Sequence, residues 1–179
     1  MLTINIPGEE FWDETNEAFV YRKSVTLQLE HSLMAISKWE SKWHKSFISS
    51  KDKTQEEVID YVKQMTINRN ISDLVYKQLN KKVIDQITEY IENPMTATTF
   101  SHTNEKPSRE VITSELVYYW MVTFNIPFEC EKWNFNRLLT LIRVCEIKNR
   151  PNKKLGTKET AMRNSDLNKL RRERLNTKG

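Results

Sequence analysis

The sequence predicts a mainly α protein: a helical bundle with a small N-terminal antiparallel β-meander, and a basic C-terminal helical tail. Three observations lead there. Apolar residues recur at three- and four-residue spacing through most of the chain, as amphipathic helices require. Only the first thirty or so residues alternate with period two, the mark of a half-buried strand. Positive charge collects at the C-terminal end: residues 143–179 carry twelve Lys/Arg against four Asp/Glu, whereas residues 1–142 carry sixteen against twenty. That split predicts one folded domain over residues 1–149 and an interaction tail over 150–179.

The strands come first, over about residues 2–29. Leu2, Ile4 and Ile6 alternate with Thr3 and Asn5. Phe19, Tyr21, Val25, Leu27 and Leu29 share one parity, broken only by Lys23. Pro7-Gly8 and Asp13–Asn16 read as turns. Successive strands joined by such turns make a meander.

Helices fill about residues 31–149. Leu33, Ile36, Trp39 and Trp43 form one apolar stripe. Thr54-Gln55-Glu56-Glu57 is a capping box, in which hydroxyl and carboxylate each satisfy an orphan N–H; Val58, Val62 and Met65 follow on one face. Asn70 or Ser72 opens a short helix through Leu74, Val75 and Leu79, and Asn80 opens another carrying Val83, Ile84, Ile87 and Ile91. Pro94 and Thr99–Pro107 read as loop. Ser108 is expected to cap the most apolar helix, nearly unbroken from Leu116 to Phe124. A helix apolar all round belongs in the centre of a fold. Asn125-Ile126-Pro127 ends it. The last helix of the body places Phe135, Leu138, Leu139, Ile142 and Cys145 together. Arg150–Gly156 is a linker by composition, and residues 157–175 form a polar helix with few apolar side chains, expected to project from the body or to order on a partner.

Composition and motifs speak against several functions. Five Trp, six Tyr and seven Phe, with 38% hydrophobic residues, supply a core that disordered chains lack. No apolar run approaches the ~20 residues of a membrane span, and the N-terminus lacks a signal-peptide pattern. Cys130 and Cys145 make no disulfide scaffold and suit a reducing compartment, hence the cytoplasm. Neither they nor His31, His44 and His102 show metal-ligand spacing. Three glycines, with no phosphate-cradling loop and no nucleophile elbow, point away from an enzyme, so no catalytic, cofactor or metal residue is expected.

Two groups of residues remain as candidates for partner binding. Trp39 and Trp43, interleaved with Lys38, Lys42, His44 and Lys45, suit either the core or a partner's groove; stacking on nucleobases is the less favoured alternative. Arg163, Lys169, Arg171, Arg172 and Arg174 suit a solvated helix, an acidic helical partner or the phosphates of nucleic acid.

Several segments carry a resemblance. They are Val25–Leu33, Ile36–Trp43, Tyr61 followed by Met65-Thr66-Ile67-Asn68, and Asn93–Thr98, then Ser108-Arg109-Glu110, Tyr118-Tyr119-Trp120-Met121, Ile126–Cys130 and Arg137–Cys145. Together they are similar to proteins encoded among the tail genes of long-tailed bacteriophages and prophages, over roughly residues 1–175. The group looks like tail assembly chaperones. The resemblance implies a non-catalytic protein of the host cytoplasm that keeps the long tape measure protein, or another tail protein, soluble until tail tube subunits displace it. A virion structural or connector protein, a homo-oligomer and a nucleic-acid-binding protein using the basic tail stand as alternatives. The resemblance transfers no individual site residue.

Overall fold

The computed structural model describes residues 1–14, 17–50, 52–77, 79–100, 110–150 and 157–176. It divides into two units, Met1–Glu146 and Ile147–Gly179. The protein is mainly α with a small β part: 56% of the described residues are helical, in seven α-helices and one 3-10 turn.

The strands are β1 (Leu2–Ile6), β2 (Glu9–Asp13), β3 (Ala18–Arg22) and β4 (Val25–Leu29). The expected meander gives way to nested pairing: β1 lies antiparallel to β4, and β2 to β3. The two pairings keep one register. It runs from Leu2 opposite Leu29 to Ile6 opposite Val25, then from Glu9 opposite Arg22 to Asp13 opposite Ala18. Pro7-Gly8 on one arm therefore matches Lys23-Ser24 on the other. The chain does not reverse at Pro7-Gly8; proline, with no N–H to donate, interrupts the ladder of a single long hairpin. The reversal falls at the far end, after Asp13, where Glu17 adopts a positive φ of 48°.

Only the base of this ribbon joins the body. Ile4, Ile6, Leu27 and Leu29 are buried, while the outer edge of β4 is covered by the segment after the second helix. There the Ile67 N–H donates to the Gln28 carbonyl at 2.8 Å, and the Glu30 N–H to the Met65 carbonyl at 2.9 Å. Asn68 Oδ1 accepts the Gln28 N–H at 2.6 Å.

The helices are α1 (Leu33–Trp43), α2 (Gln55–Met65), α3 (Asp73–Lys77), α4 (Lys81–Glu92), α5 (Ser114–Thr123), α6 (Phe135–Asn149) and α7 (Thr157–Leu175), with a 3-10 turn at Phe128–Lys132. Ser32 caps α1, and His44 stops it in the left-handed region. The expected capping box opens α2 as a reciprocal pair: the Glu57 N–H donates to Thr54 Oγ1, and the Thr54 N–H to Glu57 Oε2. Asn80 caps α4 through the Val83 N–H. Leu33, Ile36 and Trp39 of α1, Val62 and Met65 of α2, Val117 and Met121 of α5, and Leu138 of α6 are essentially without solvent contact and form the centre of the first unit. Replacing Thr54 by alanine leaves the Glu57 N–H without its acceptor. It should cost about 1 kcal/mol, read as a lower urea midpoint at unchanged slope.

Two expectations for α5 are corrected. Its cap is Thr113, whose hydroxyl accepts the Leu116 N–H at 3.4 Å, so the helix begins later than a Ser108 cap would place it. Ser108 itself lies outside the described residues. Nor is α5 enclosed. Ser114, Val117 and Met121 are buried, but Tyr119 and Val122 face solvent. A run this apolar carries no polar stripe to say which face turns inward, so packing against α1 decides it.

Candidate partner-binding surfaces

The sequence singled out two tryptophans and five cations, and the structure treats them differently. Trp39 is 0% exposed. Its indole N–H donates to the Glu57 carbonyl at 2.8 Å, and its ring lies edge-on to Phe47 at 5.2 Å. Of the two readings, core packing accounts for Trp39, which has no surface left for a partner. Trp43 is half-buried beside it, with its indole N–H on Asp60 Oδ2 at 3.0 Å and the Lys42 ammonium 5.5 Å from its ring. Asp60 also pairs with Lys42, and Glu57 with Lys45. Lys42 and Lys45, two of the lysines interleaved with the tryptophans, thus bind α2 carboxylates.

Lys169, Arg171, Arg172 and Arg174 are exposed on α7. The Arg163 side chain lies outside the described residues. At 100° per residue the helix does not gather the cations on one side. Arg171 and Arg174 follow Leu167 and Leu170 along one stripe, whereas Lys169 and Arg172 lie on another.

The strongly shifted titratable groups of the first unit serve its packing. His31 is 3% exposed, enclosed by the rings of Phe47, Tyr61 and Phe135, and its Nδ1 shares a hydrogen bond of 2.5 Å with the Tyr61 hydroxyl. Burial lowers its pKa to about 4, a shift the neighbouring Glu30 charge only partly offsets. Burial likewise raises the Tyr61 phenol well above its ordinary value. The hydrogen bond from Lys45 holds the Glu57 carboxyl below its usual range, helped by the Thr54 N–H. The Tyr90 and Tyr118 phenols are raised by burial and by donating to Glu30 and Glu131. Both cysteines are free, Cys130 within the core and Cys145 half-buried against it. Among the described residues no three His, Cys, Asp or Glu side chains gather as a metal site would, and no helix is long and apolar enough to cross a membrane.

Two exposed aromatic surfaces escaped the sequence reading. At the far end of the ribbon, Trp12 is 50% exposed, Phe19 69% and Tyr21 67%. Trp12 and Phe19 face each other in register and meet edge to face at 5.0 Å. They occupy the same parity as the buried Ile4, Ile6, Leu27 and Leu29, so alternation alone groups them with the core. The available signal was charge: Glu9, Glu10, Asp13, Glu14 and Glu17 crowd around them in sequence, which is costly to bury. The second surface is the outer side of α5, where Glu115, Tyr119 and Val122 lie at positions i, i+4 and i+7, all exposed. Beyond it Phe128 is also exposed, its ring 6.3 Å from that of Tyr118.

Compared with protein-family models, curated proteins and solved structures, the chain matches none.

Proposed function

We propose that this protein binds a helical polypeptide without catalysing a reaction, and that it acts as a tail assembly chaperone of a long-tailed bacteriophage whose client is the tape measure protein. The observation that carries the binding reading is the outer stripe of α5. Its opposite side, Ser114, Val117 and Met121, is locked in the core, so Tyr119 and Val122 are presented on a rigid element at helical spacing. An exposed aromatic and an aliphatic residue one turn apart match the i, i+3, i+4, i+7 anchors by which one helix receives another. Exposed apolar groups on a firm scaffold mark interaction surfaces. The choice of client comes from the resemblance to phage tail proteins, and many weak sites along one long client would supply the avidity a coat needs.

The test is co-expression with a tape measure protein of a long-tailed phage. The intact chain is expected to hold that protein in the soluble fraction and to co-purify with it. Tyr119→Asp combined with Val122→Asp, both on exposed positions, should abolish co-purification while leaving the circular dichroism spectrum unchanged. A tape measure protein that stays insoluble beside the intact chain would overturn the chaperone reading. Recovery of the chain from mature virions by mass spectrometry would favour a structural or connector role instead.

A further inference from the structure

We propose that the tip of the β2–β3 ribbon docks the α7 helix of a second copy of this chain, joining copies head to tail. Two surfaces with opposite chemistry carry the proposal, and neither is covered within its own unit.

The first is the ribbon tip. Trp12, Phe19 and Tyr21 are each at least half exposed, and residues 9–23 hold five carboxylates against Arg22 and Lys23. Rings on a ribbon whose sequence is rich in carboxylates suit a partner that offers aliphatic side chains beside cations. The second is α7. It is a nineteen-residue helix whose described side chains are all exposed, carrying six Lys/Arg against three Asp/Glu. Leu167, Leu170, Arg171 and Arg174 fall at i, i+3, i+4 and i+7, so one stripe carries two leucines followed by two guanidinium groups. Guanidinium planes also stack on aromatic faces, an option a lysine-only helix would lack.

A contact between unlike surfaces is heterologous. One such contact leaves a free tip and a free helix, so further copies can add until the contacts close into a ring or extend as a row. Its charges stay near solvent, which makes it sensitive to ionic strength. It does not involve the α5 stripe and is independent of the client-binding reading above.

Sedimentation of the full chain tests this. At low salt the mass should rise with protein concentration, and near 1 M salt, where the screening length is about 3 Å, it should return to that of one chain. Two variants isolate the surfaces: Trp12→Ala with Phe19→Ala at the tip, and Arg171→Glu with Arg174→Glu on the helix. Each alone should sediment as a monomer with an unchanged thermal melt. Mixed in equal amounts they should form a complex of two chains and no more, because each retains one working surface. Tyr21→Ala provides a second, milder tip variant that should weaken association several-fold. A wild-type chain monomeric at low salt, association that survives both variants, or mixed variants that stay monomeric would overturn the proposal. So would association that disappears on nuclease treatment, which would assign α7 to nucleic acid.

Discussion

Replacing Glu40 by alanine is expected to destabilise the first unit by about 3 kcal/mol, since the buried Ser114 N–H and the part-buried Phe47 N–H each lose an acceptor, at roughly 1–3 kcal/mol apiece. Glu40 sits on α1 and is 7% exposed. Its Oε1 accepts the Phe47 N–H and its Oε2 the Ser114 N–H, both at 2.7 Å. Phe47 is the residue whose ring lies 3.9 Å from Tyr61 and edge-on to Trp39. Ser114, 0% exposed, is the first residue of α5, where orphan N–H groups and the helix dipole favour a negative charge. One carboxylate therefore ties α1 to both the loop that follows it and a helix more than seventy residues away. Two further bonds run along the same seam: the Ser46 hydroxyl donates to the Ile112 carbonyl at 2.5 Å, and the Ile112 N–H to Ser49 Oγ at 3.1 Å. Glutamine at position 40 keeps one acceptor and turns an amide donor toward the other N–H, so it should cost about half as much. The measurement is the denaturant midpoint at constant slope, against a total stability for such domains of about 5–15 kcal/mol. A loss for Glu40→Ala smaller than about 1 kcal/mol would mean that water replaces the carboxylate, and the proposed tie would be wrong.

The second large effect is acid sensitivity. His31 titrates near 4 in the folded chain against 6.5 when unfolded, because burial disfavours the imidazolium. Between those values the unfolded chain holds more protons, so stability falls as pH falls. The contribution is complete above pH 6.5 and is lost progressively down to about pH 4, reaching about 3 kcal/mol at 1.36 kcal/mol per unit. Glu57 acts in the same direction but in a lower window. Its carboxyl is held below the ordinary 4.5 by Lys45 and Thr54, and its contribution is lost only as pH falls through that range. The decline between pH 6.5 and 4.5 thus belongs to His31. Urea midpoints measured across that interval should drop for the native chain. They should stay nearly level for His31→Phe, whose ring joins those of Phe47, Tyr61 and Phe135 without a titrating group. A native curve as flat as the variant's would show that His31 is protonated in the folded chain.

Neither Glu40 nor His31 stands out along the sequence. Glu40 occupies a helix between Trp39 and Ser41, where most acids are solvated, and His31 follows a strand with no ligand-like neighbour. Their partners, Phe47, Tyr61, Ser114 and Phe135, lie 7 to 104 residues away, so no local rule could reveal them. The candidate surfaces follow the same division. The cations of α7 were evident as charge, while the aromatic tip was hidden inside a parity pattern shared with core residues. Trp39 and Trp43 sat on the expected stripe, yet only contact with α2 showed that the first is sealed and the second tied to Asp60.

What the sequence determined by itself is the part governed by neighbours within a turn or two: the mainly α class, the Thr54 capping box, the Asn80 cap, the Trp39 stripe and the extent of α7. Caps, propensities and periodic stripes act over three or four residues, so they are written locally. The tertiary structure alone decided that Pro7-Gly8 interrupts one hairpin, that α5 turns Tyr119 and Val122 outward, and that the ribbon leaves the core before it reaches Trp12 and Phe19. Those outcomes depend on which surfaces remain once the most apolar faces have paired, and that competition involves the whole chain at once.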